Sequence, residues 1–354
     1  MRDVLDKWRP VIDEEIEKVL PREIKNEYLE DFFGDARYTY DAGAIHDGLS
    51  VPTWDVLDRG GKRWRAVLFL MFIEAFGEDP NEYLPYACIP EILHNGTIIV
   101  DDVEDDASLR RGEPALHLKY GTDVAINAGN ALYFLPLKIV SRNPADLNET
   151  TKLKIYDMLS YELNRTHLGQ GTDIIWHGRK DTTTDEEKYL EMCACKTGSL
   201  ARIASRLAAI VTRQTEEDEE AVGKYAELMS IAFQISDDIL DVENTLGRTE
   251  GFGKEVGNDI REGKKTLMVI HAVKKAEPNE ARRLEEILSA DENTDDEILE
   301  AIDILQETGS IEHARETALE LSAQAREHLD RVDMRPEPKK KLADFSRFVV
   351  ERRT

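Results

Sequence analysis

The stretch TEEDEEAVGKYAELMSIAFQISDDILDV, from Thr215 to Val242, decides the fold class. Its apolar residues recur mostly three or four positions apart, which is the period of an amphipathic helix. Thr215 precedes Glu216-Glu217-Asp218, so the segment opens with a helix N-cap and with acids that suit the helix dipole. This stretch therefore predicts one long helix.

The same period recurs along most of the chain, whereas alternating strand patterns are nearly absent. Glycine and proline cluster in short breaks between the helical segments. These patterns predict an all-α protein with a single domain over residues 1–354. The further predicted helices run from Trp64 to Phe76, Ala87 to about Ala107, Thr151 to Trp176, Asp185 to Thr212, Thr266 to Val273 and Thr294 to Glu307.

The composition changes after about Glu277, and from there to Asp333 the chain is rich in Glu, Asp, Ala and Leu with few aromatic residues. We interpret this region, and the chain to residue 354, as peripheral helices that cover the core with an acidic outer face. A separate domain is the alternative.

The charge excludes some classes of partner. Lys plus Arg number 46 and Asp plus Glu number 72, so the formal net charge is 46 − 72 = −26. Such a field repels nucleic acid and anionic membranes. The apolar stretches are too short and too often interrupted by basic residues to span a bilayer, and the first residues lack a signal-peptide pattern. Three cysteines are too few for a disulfide framework, so we expect a cytoplasmic protein.

Two aspartate clusters carry the clearest chemical signal. Asp101-Asp102-Val103-Glu104-Asp105 and Asp237-Asp238-Ile239-Leu240-Asp241 each place two aspartates four residues apart, on one face of a helix. Both follow apolar runs, and carboxylates beside a core need a counter-ion. Oxygen ligands of this kind suit Mg²⁺, which shares its remaining positions with water and phosphates. An accidental match in so acidic a chain is the alternative for either cluster alone.

Clustered cations are the rarer signal in this chain. Lys62 and Arg65 follow Gly60-Gly61, Arg110-Arg111 follow the first aspartate cluster, and Lys254 and Lys264 follow the second beside glycines. Arginine forks and glycine-flanked lysines suit diphosphate oxygens. Together with the aspartates, they predict a site for two diphosphates, one held through metal and one held directly.

The order of these blocks resembles the trans-isoprenyl diphosphate synthases. The blocks are GGKRWR, His94 seven residues before Asp101, DDVEDDASLRRG, GQGTD, KTG, FQISDDILD and GKEVGNDIREGKKT, and they cover residues 60–273. The resemblance implies a helical bundle of the isoprenoid synthase type with a central active-site cavity. It also implies a 1'-4 head-to-tail condensation of isopentenyl diphosphate with an allylic diphosphate, which may be dimethylallyl, geranyl or farnesyl diphosphate.

The resemblance also assigns roles. Asp101 and Asp105 would coordinate two magnesium ions and Asp237 a third, with support from Asp102, Asp238 and Asp241. Arg110, Lys196, Lys254 and Lys264 would bind the allylic diphosphate. Lys62, Arg65, His94 and Arg111 would bind isopentenyl diphosphate. Thr197 and Gln234 would place oxygen dipoles near the developing allylic cation.

Product length is predicted from a further set of positions. In the family, bulky residues four or five positions before the first aspartate motif stop elongation, and here those positions are Thr97 and Gly96. Small residues there, with the wording of the motif, favour geranylgeranyl diphosphate, C20. Tyr133, Phe134 and His167 are candidates for the floor of the product tunnel, and for Tyr133 and Phe134 a place in the core is the alternative.

Other functions remain open at this point. A farnesyl or longer-chain synthase is the nearest alternative. A terpene cyclase or squalene-type synthase, or a non-catalytic partner subunit, fits less well because both aspartate motifs and the GGKRWR and RRG blocks are present. By analogy with the family we expect a homodimer. The acidic surface, with more Arg than Lys, predicts a halophilic protein.

Overall fold

The computed structural model describes residues 1–178, 184–246, 257–290 and 292–351. Most of these residues are helical, so the all-α prediction is confirmed. The helices are α1 (Arg2–Val19), α2 (Asn26–Phe33), α3 (Ala42–Ile45), α4 (Val51–Asp58), α5 (Trp64–Ala75), α6 (Leu84–Glu104), α7 (Leu116–Tyr120), α8 (Thr122–Phe134), α9 (Leu137–Arg142), α10 (Glu149–Gly178), α11 (Glu186–Cys193), α12 (Ser199–Val211), α13 (Glu216–Thr245), α14 (Asn258–Arg261), α15 (Leu267–Lys275), α16 (Pro278–Leu288), α17 (Asp295–Glu307), α18 (Ser310–Asp330) and α19 (Pro336–Glu351).

A short hairpin interrupts the helical pattern just after the first aspartate cluster. Strands β1 (Leu109–Arg110) and β2 (Glu113–Pro114) pair antiparallel, with Leu109 opposite Pro114. The sequence did not predict it, because two residues a strand are too few for an alternating pattern.

The chain forms two compact units. Unit 1 comprises Met1–Leu159, Ile203–Glu219 and Met334–Lys339. Unit 2 comprises Ser160–Arg202, Glu220–Asp333 and Lys340–Thr354.

The core of unit 1 is built around α5 and around the contact of α6 with α8. Every residue of α5 from Arg65 to Ile73 is buried, so this helix is covered on all sides. The helices α6 and α8 meet at two glycines: a Cβ on Gly96 would lie 2.9 Å from the carbonyl oxygen of Gly129. The close approach of the two helices therefore requires the absence of a side chain there.

The core of unit 2 joins the second aspartate helix to the acidic helices of the C-terminal region. Ile235 and Ile239 of α13 belong to the same buried cluster as Leu284 of α16, Ile302 of α17 and Ala314 of α18. Each of the acidic helices thus buries an apolar face. This confirms the prediction that helices after Glu277 cover a core.

Helix boundaries follow the predictions closely, with one exception. Thr215 caps α13 as predicted, because its Oγ1 accepts a hydrogen bond from the amide of Asp218 at 3.1 Å. The predicted single helix from Asp185 to Thr212 was wrong, because a π-helical turn, Ala194–Gly198, separates α11 from α12. Such turns insert one extra residue into a helix and occur frequently at functional sites.

One described segment, Thr122–Arg142, is long and apolar enough to cross a membrane by length and composition alone. Half of its most apolar window is buried inside the protein, and the segment is divided between α8 and α9.

Candidate active site

The first aspartate cluster lies at the C-terminal end of α6, in unit 1. The amide of Asp105 donates to the carbonyl oxygen of Asp101 at 2.9 Å, so the two aspartates keep the spacing of one helical turn. Both are partly exposed, whereas Asp102 is 1% exposed. Nε of Arg110 donates to Oδ1 of Asp102 at 2.7 Å. Burial raises the pKa of Asp102 more than Arg110 lowers it. Asp102 therefore faces inward as the partner of Arg110, and Asp101 and Asp105 present their carboxylates on the accessible side.

The hairpin directs its two arginines to different partners. Arg111 and Gly112 form its tip with φ of 55° and 79°, a left-handed conformation that turns the chain sharply. Arg59 holds the hairpin, because its Nη1 donates to the carbonyl oxygen of Pro114 at 2.8 Å and to that of Arg110 at 3.3 Å. The sequence gave no role to Arg59.

Three predicted diphosphate ligands form a cluster of buried cationic and imidazole groups. Arg65 is 5% exposed, and its Nε, like Nδ1 of His94, has no hydrogen-bond partner among the residues described. Burial, with the neighbouring arginines, lowers the pKa of His94 well below its usual value. Burial lowers the pKa of Arg65 and of Arg111 to about 10, so both stay charged at neutral pH. Buried cations with unsatisfied N–H groups favour an anion. Lys62 is exposed on the preceding turn.

The second aspartate cluster, in unit 2, includes a chain of hydrogen bonds. Asp238 accepts from the hydroxyl of Tyr189 at 2.8 Å and from Nε2 of Gln234 at 2.9 Å. Thr197 Oγ1 donates to Oε1 of Gln234 at 3.2 Å. Burial and the neighbouring Asp259 raise the pKa of Asp238 to about 7. Asp238 thus fixes the amide of Gln234, whose oxygen points toward Thr197.

Lys196 is oriented by an aspartate to which sequence reasoning assigned no role. Its Nζ donates to Oδ2 of Asp173 at 2.6 Å, and Nε2 of His177 lies 3.0 Å from Oδ1. Burial acts to raise the pKa of Asp173, but His177 and Lys196 outweigh it and hold this pKa well below its usual value. A Cβ on Gly169 would lie 2.8 Å from Cα of Lys196. The GQGTD block therefore supplies both the close approach and the counter-ion, which its position in the motif order could have indicated.

The remaining aspartates of the second cluster point in different directions. Asp241 is 5% exposed, and its Oδ2 accepts from the amide of Asp259 at 3.2 Å. Lys264 Nζ donates to Oδ1 of Asp259 at 3.4 Å and also pairs with Glu262. Asp237 is partly exposed, as Asp101 is. Lys254 lies outside the residues that the structure describes.

The chain-length candidates do not share one environment. Tyr133 is 9% exposed, but Phe134 is 67% exposed and His167 is also exposed, so the expectation that the latter two close a tunnel within this chain is wrong. The interpretation of Gly96 as room for a product tail is also wrong, because its missing side chain points at the backbone of α8. Thr97 is partly buried, and its Oγ1 donates to the carbonyl oxygen of His94 at 2.8 Å.

No group of three or more His, Cys, Asp or Glu side chains that could hold a metal is present in the described ranges. Carboxylates one helical turn apart, such as Asp101 and Asp105, nevertheless fit Mg²⁺. This ion is usually bound by one or two carboxylates together with water and substrate phosphates.

Comparison with known proteins gives the family. The model of the polyprenyl synthetase family matches residues 46–305. The chain belongs to this family. It is accordingly a trans-isoprenyl diphosphate synthase and a prenyltransferase, in agreement with the resemblance seen in its motifs. Neither a terpene cyclase nor a non-catalytic partner subunit is what these matches support.

Several curated archaeal relatives are similar over most of their length. A short chain isoprenyl diphosphate synthase of Methanocaldococcus jannaschii is 38% identical over 76% of this chain and 79% of the relative. A geranylgeranyl diphosphate synthase of Methanosarcina mazei is 35% identical over 84% and 87%, respectively. A geranylfarnesyl diphosphate synthase of Natronomonas pharaonis is 33% identical over 84% and 88%.

Solved structures confirm the isoprenoid synthase fold. A geranylgeranyl pyrophosphate synthetase from Geoglobus acetivorans matches with a TM-score of 0.81 at 28% identity, over 99% of this chain and 100% of the other. The corresponding protein from Pyrococcus horikoshii matches with a TM-score of 0.80 at 29% identity, over 98% and 99%.

Proposed function

We propose that this prenyltransferase condenses isopentenyl diphosphate with allylic diphosphates, head to tail, and releases geranylgeranyl diphosphate. The observation that carries the proposal is the buried cluster of Arg65, His94 and Arg111. Its charge and unsatisfied N–H groups suit a diphosphate bound directly, without metal. The relatives named as geranylgeranyl diphosphate synthases support the C20 product.

In this proposal the cations of each unit hold one diphosphate-bearing substrate by direct contact. Arg65, Arg111 and Lys62 bind isopentenyl diphosphate, and neutral His94 donates one hydrogen bond to it. Arg110 and Lys196 bind the allylic diphosphate, each oriented by a carboxylate, as the pairs Arg110–Asp102 and Lys196–Asp173 show for the protein alone. Lys254 and Lys264 keep the same assignment by family likeness.

Magnesium, which we propose at three ions with Asp101, Asp105 and Asp237 as ligands, would neutralise the leaving diphosphate and act as a Lewis acid. The residues of the chain then stabilise the change in charge. As the allylic C1–O bond breaks, diphosphate leaves with the electron pair. The oxygens of Thr197 and Gln234 face the developing cation, and the amide of Gln234 is already held by Asp238. The double bond of isopentenyl diphosphate attacks C1, and the released diphosphate takes the proton that is lost.

The test is incubation with labelled isopentenyl diphosphate, magnesium and each allylic starter in turn, followed by chromatography of the released alcohols. A C20 alcohol is the expected product. A C25 alcohol would favour the geranylfarnesyl class found among the relatives, and a C15 alcohol the farnesyl class. Wild-type turnover by the double variant Asp101→Asn and Asp237→Asn would overturn the catalytic roles.

We also propose that the protein is a homodimer. Three apolar side chains of α10 are exposed at seven-residue spacing, namely Tyr161 at 56%, Leu168 at 67% and Ile175 at 43%. A stripe of this kind on one helix is typical of an interface. Leu168→Glu should therefore lower the molecular mass in light scattering to that of a monomer. A cytoplasmic location is proposed as well, in keeping with three buried free cysteines.

A further inference from the structure

The turn that precedes α5 has an unusual backbone. Gly60, Gly61 and Arg63 have φ of 108°, 110° and 50°. The left-handed conformation suits glycine but is unfavourable for a residue with a Cβ. A strained residue of this kind persists only where its surroundings hold it in place. Lys62 lies inside the turn, and Arg65 follows it in the first turn of α5.

Arg63 is held by contacts at each of its guanidinium nitrogens. Its Nη2 donates to the carbonyl oxygen of Leu57 at 2.8 Å, and its Nη1 to that of Gly60 at 3.2 Å. Its Nε donates to Oδ1 of Asp13 at 2.7 Å, and Oε1 of Glu91 lies 3.6 Å from Nη1. The residue is 2% exposed, so this set of partners also compensates a buried charge.

The same turn is held from its other side by Arg111. Nη1 of Arg111 donates to the carbonyl oxygen of Gly60 at 2.6 Å, so this oxygen accepts from two arginines. A Cβ on Gly61 would lie 3.0 Å from Nη1 of Arg63 and 3.1 Å from Nη2 of Arg111. The backbone that carries Lys62 is thus fixed between two guanidinium groups, and only one of them, that of Arg111, belongs to the proposed diphosphate ligands.

Asp13 lies on α1, outside residues 46–305 that match the family model. We propose that Arg63 and Asp13 are positioning residues for the isopentenyl diphosphate subsite, and the inference rests on the function proposed above. Asp13 holds the Arg63 side chain, Arg63 holds the strained turn, and the turn sets the direction of Lys62 and Arg65. Neither positioning residue touches the substrate.

The experiment compares Asp13→Asn and Arg63→Lys with Asp6→Asn, a matched control on an exposed position of α1. For the first two variants, we expect the KM for isopentenyl diphosphate to rise roughly tenfold, the effect of losing a hydrogen bond to a charged group. The KM for the allylic diphosphate should stay within twofold of wild type, on the order of experimental scatter. Asp13→Glu, which keeps the carboxylate, should restore most of the affinity, and Asp6→Asn should behave as wild type.

Calorimetric titration with isopentenyl diphosphate alone should show the same loss of affinity. If the KM for isopentenyl diphosphate is unchanged in Asp13→Asn, or if both KM values rise together, the positioning role is wrong. Asp13→Asn decides the matter if Arg63→Lys does not fold, because Asp13 is partly exposed and contributes one of several bonds to Arg63. A wild-type protein that does not consume isopentenyl diphosphate would instead overturn the proposed function.

Discussion

The hydroxyl of Tyr189 donates a hydrogen bond to Oδ2 of Asp238 at 2.8 Å, which links α11 to the second aspartate motif on α13. Tyr189 is 2% exposed, and burial raises its pKa well above the usual value, so the hydroxyl stays protonated as a donor. The other oxygen of Asp238 accepts from Gln234. The two bonds together fix the amide whose oxygen is proposed to face the allylic cation.

Tyr189→Phe should therefore reduce kcat about tenfold, because Asp238 is then free to rotate and the amide of Gln234 loses its fixed direction. The free energy of unfolding should fall by about 1–3 kcal/mol, because a buried acceptor loses its partner. Steady-state kinetics and urea unfolding measure the two effects separately.

Tyr225→Phe is the matched control. Tyr225 is also fully buried, and its hydroxyl donates to the carbonyl oxygen of Leu342 at 2.6 Å, away from the second aspartate motif. This variant should lose comparable stability and keep the wild-type kcat. An equal loss of kcat in both variants would show that Tyr189 acts through stability alone.

Gly96→Ala tests the contact of α6 with α8. The new Cβ would lie 2.9 Å from both the carbonyl oxygen of Gly129 and Cβ of Leu132, so the free energy of unfolding should fall by about 1–3 kcal/mol. The matched control is Gly171→Ala on α10, where a Cβ meets nothing within 4 Å and should raise stability by up to about 1 kcal/mol. Thermal unfolding compares the two. A shorter product from Gly96→Ala without loss of stability would restore the tail-room interpretation.

The fold class and the order of the site blocks could be predicted from the sequence, because helical periodicity and motif spacing are local properties. The partners of each charge could not. Asp102 and Asp105 belong to one motif, yet Asp102 is buried against Arg110 while Asp105 is partly exposed. This difference depends on the short hairpin after α6, which gives no periodic signal. The role of Asp173 likewise depends on the approach of α10 to the π-helical turn, which spacing along the chain does not contain.

Exposure was the other property that the sequence concealed. Tyr133 and Phe134 are adjacent aromatic residues, and only the rotation of α8 decides that the first is buried and the second exposed. Tyr133→Ala should therefore lengthen the product, because it removes a buried ring beside the first aspartate motif. Chromatography of the released alcohols measures the change.

Phe134→Ala and His167→Ala are the controls for that prediction, since both side chains are exposed. Both should leave the product length unchanged. A change in chain length with either control, and none with Tyr133→Ala, would reverse the assignment.

Asp55 gives a prediction for pH. Burial acts to raise its pKa, but hydrogen bonds from Lys119, Tyr120 and Arg59 outweigh burial and lower it to about 2. Because the folded pKa is depressed, this contribution to stability is fully present above the unfolded value near 4 and is lost as pH falls through about 2. Asp55→Asn should therefore lower the free energy of unfolding by about 2 kcal/mol at pH 7, and the gap from wild type should close below about pH 4.

Asp58→Asn is the comparison for Asp55. Asp58 also pairs with an arginine, Arg22 at 2.7 Å, but its side chain is 55% exposed against 13% for Asp55. An exposed pair contributes at most about 1 kcal/mol. Equal losses in the two variants, measured by urea unfolding at several pH values, would contradict the importance of burial at Asp55.

Salt dependence is the last expectation, and it concerns the net charge of −26. Not all acids in the dense runs are on the surface: Glu219 is 5% exposed and pairs with Arg206 at 2.7 Å. Its neighbours Glu216 and Glu217 are exposed, as are Asp295 and Asp296 at the start of α17. Salt screens repulsion among exposed acids far more than it weakens a buried pair. Activity and Tm should therefore both rise from dilute buffer to about 1 M KCl, where the screening length is only about 3 Å. A flat or falling Tm over that range would mean that the acidic surface is no adaptation to salt.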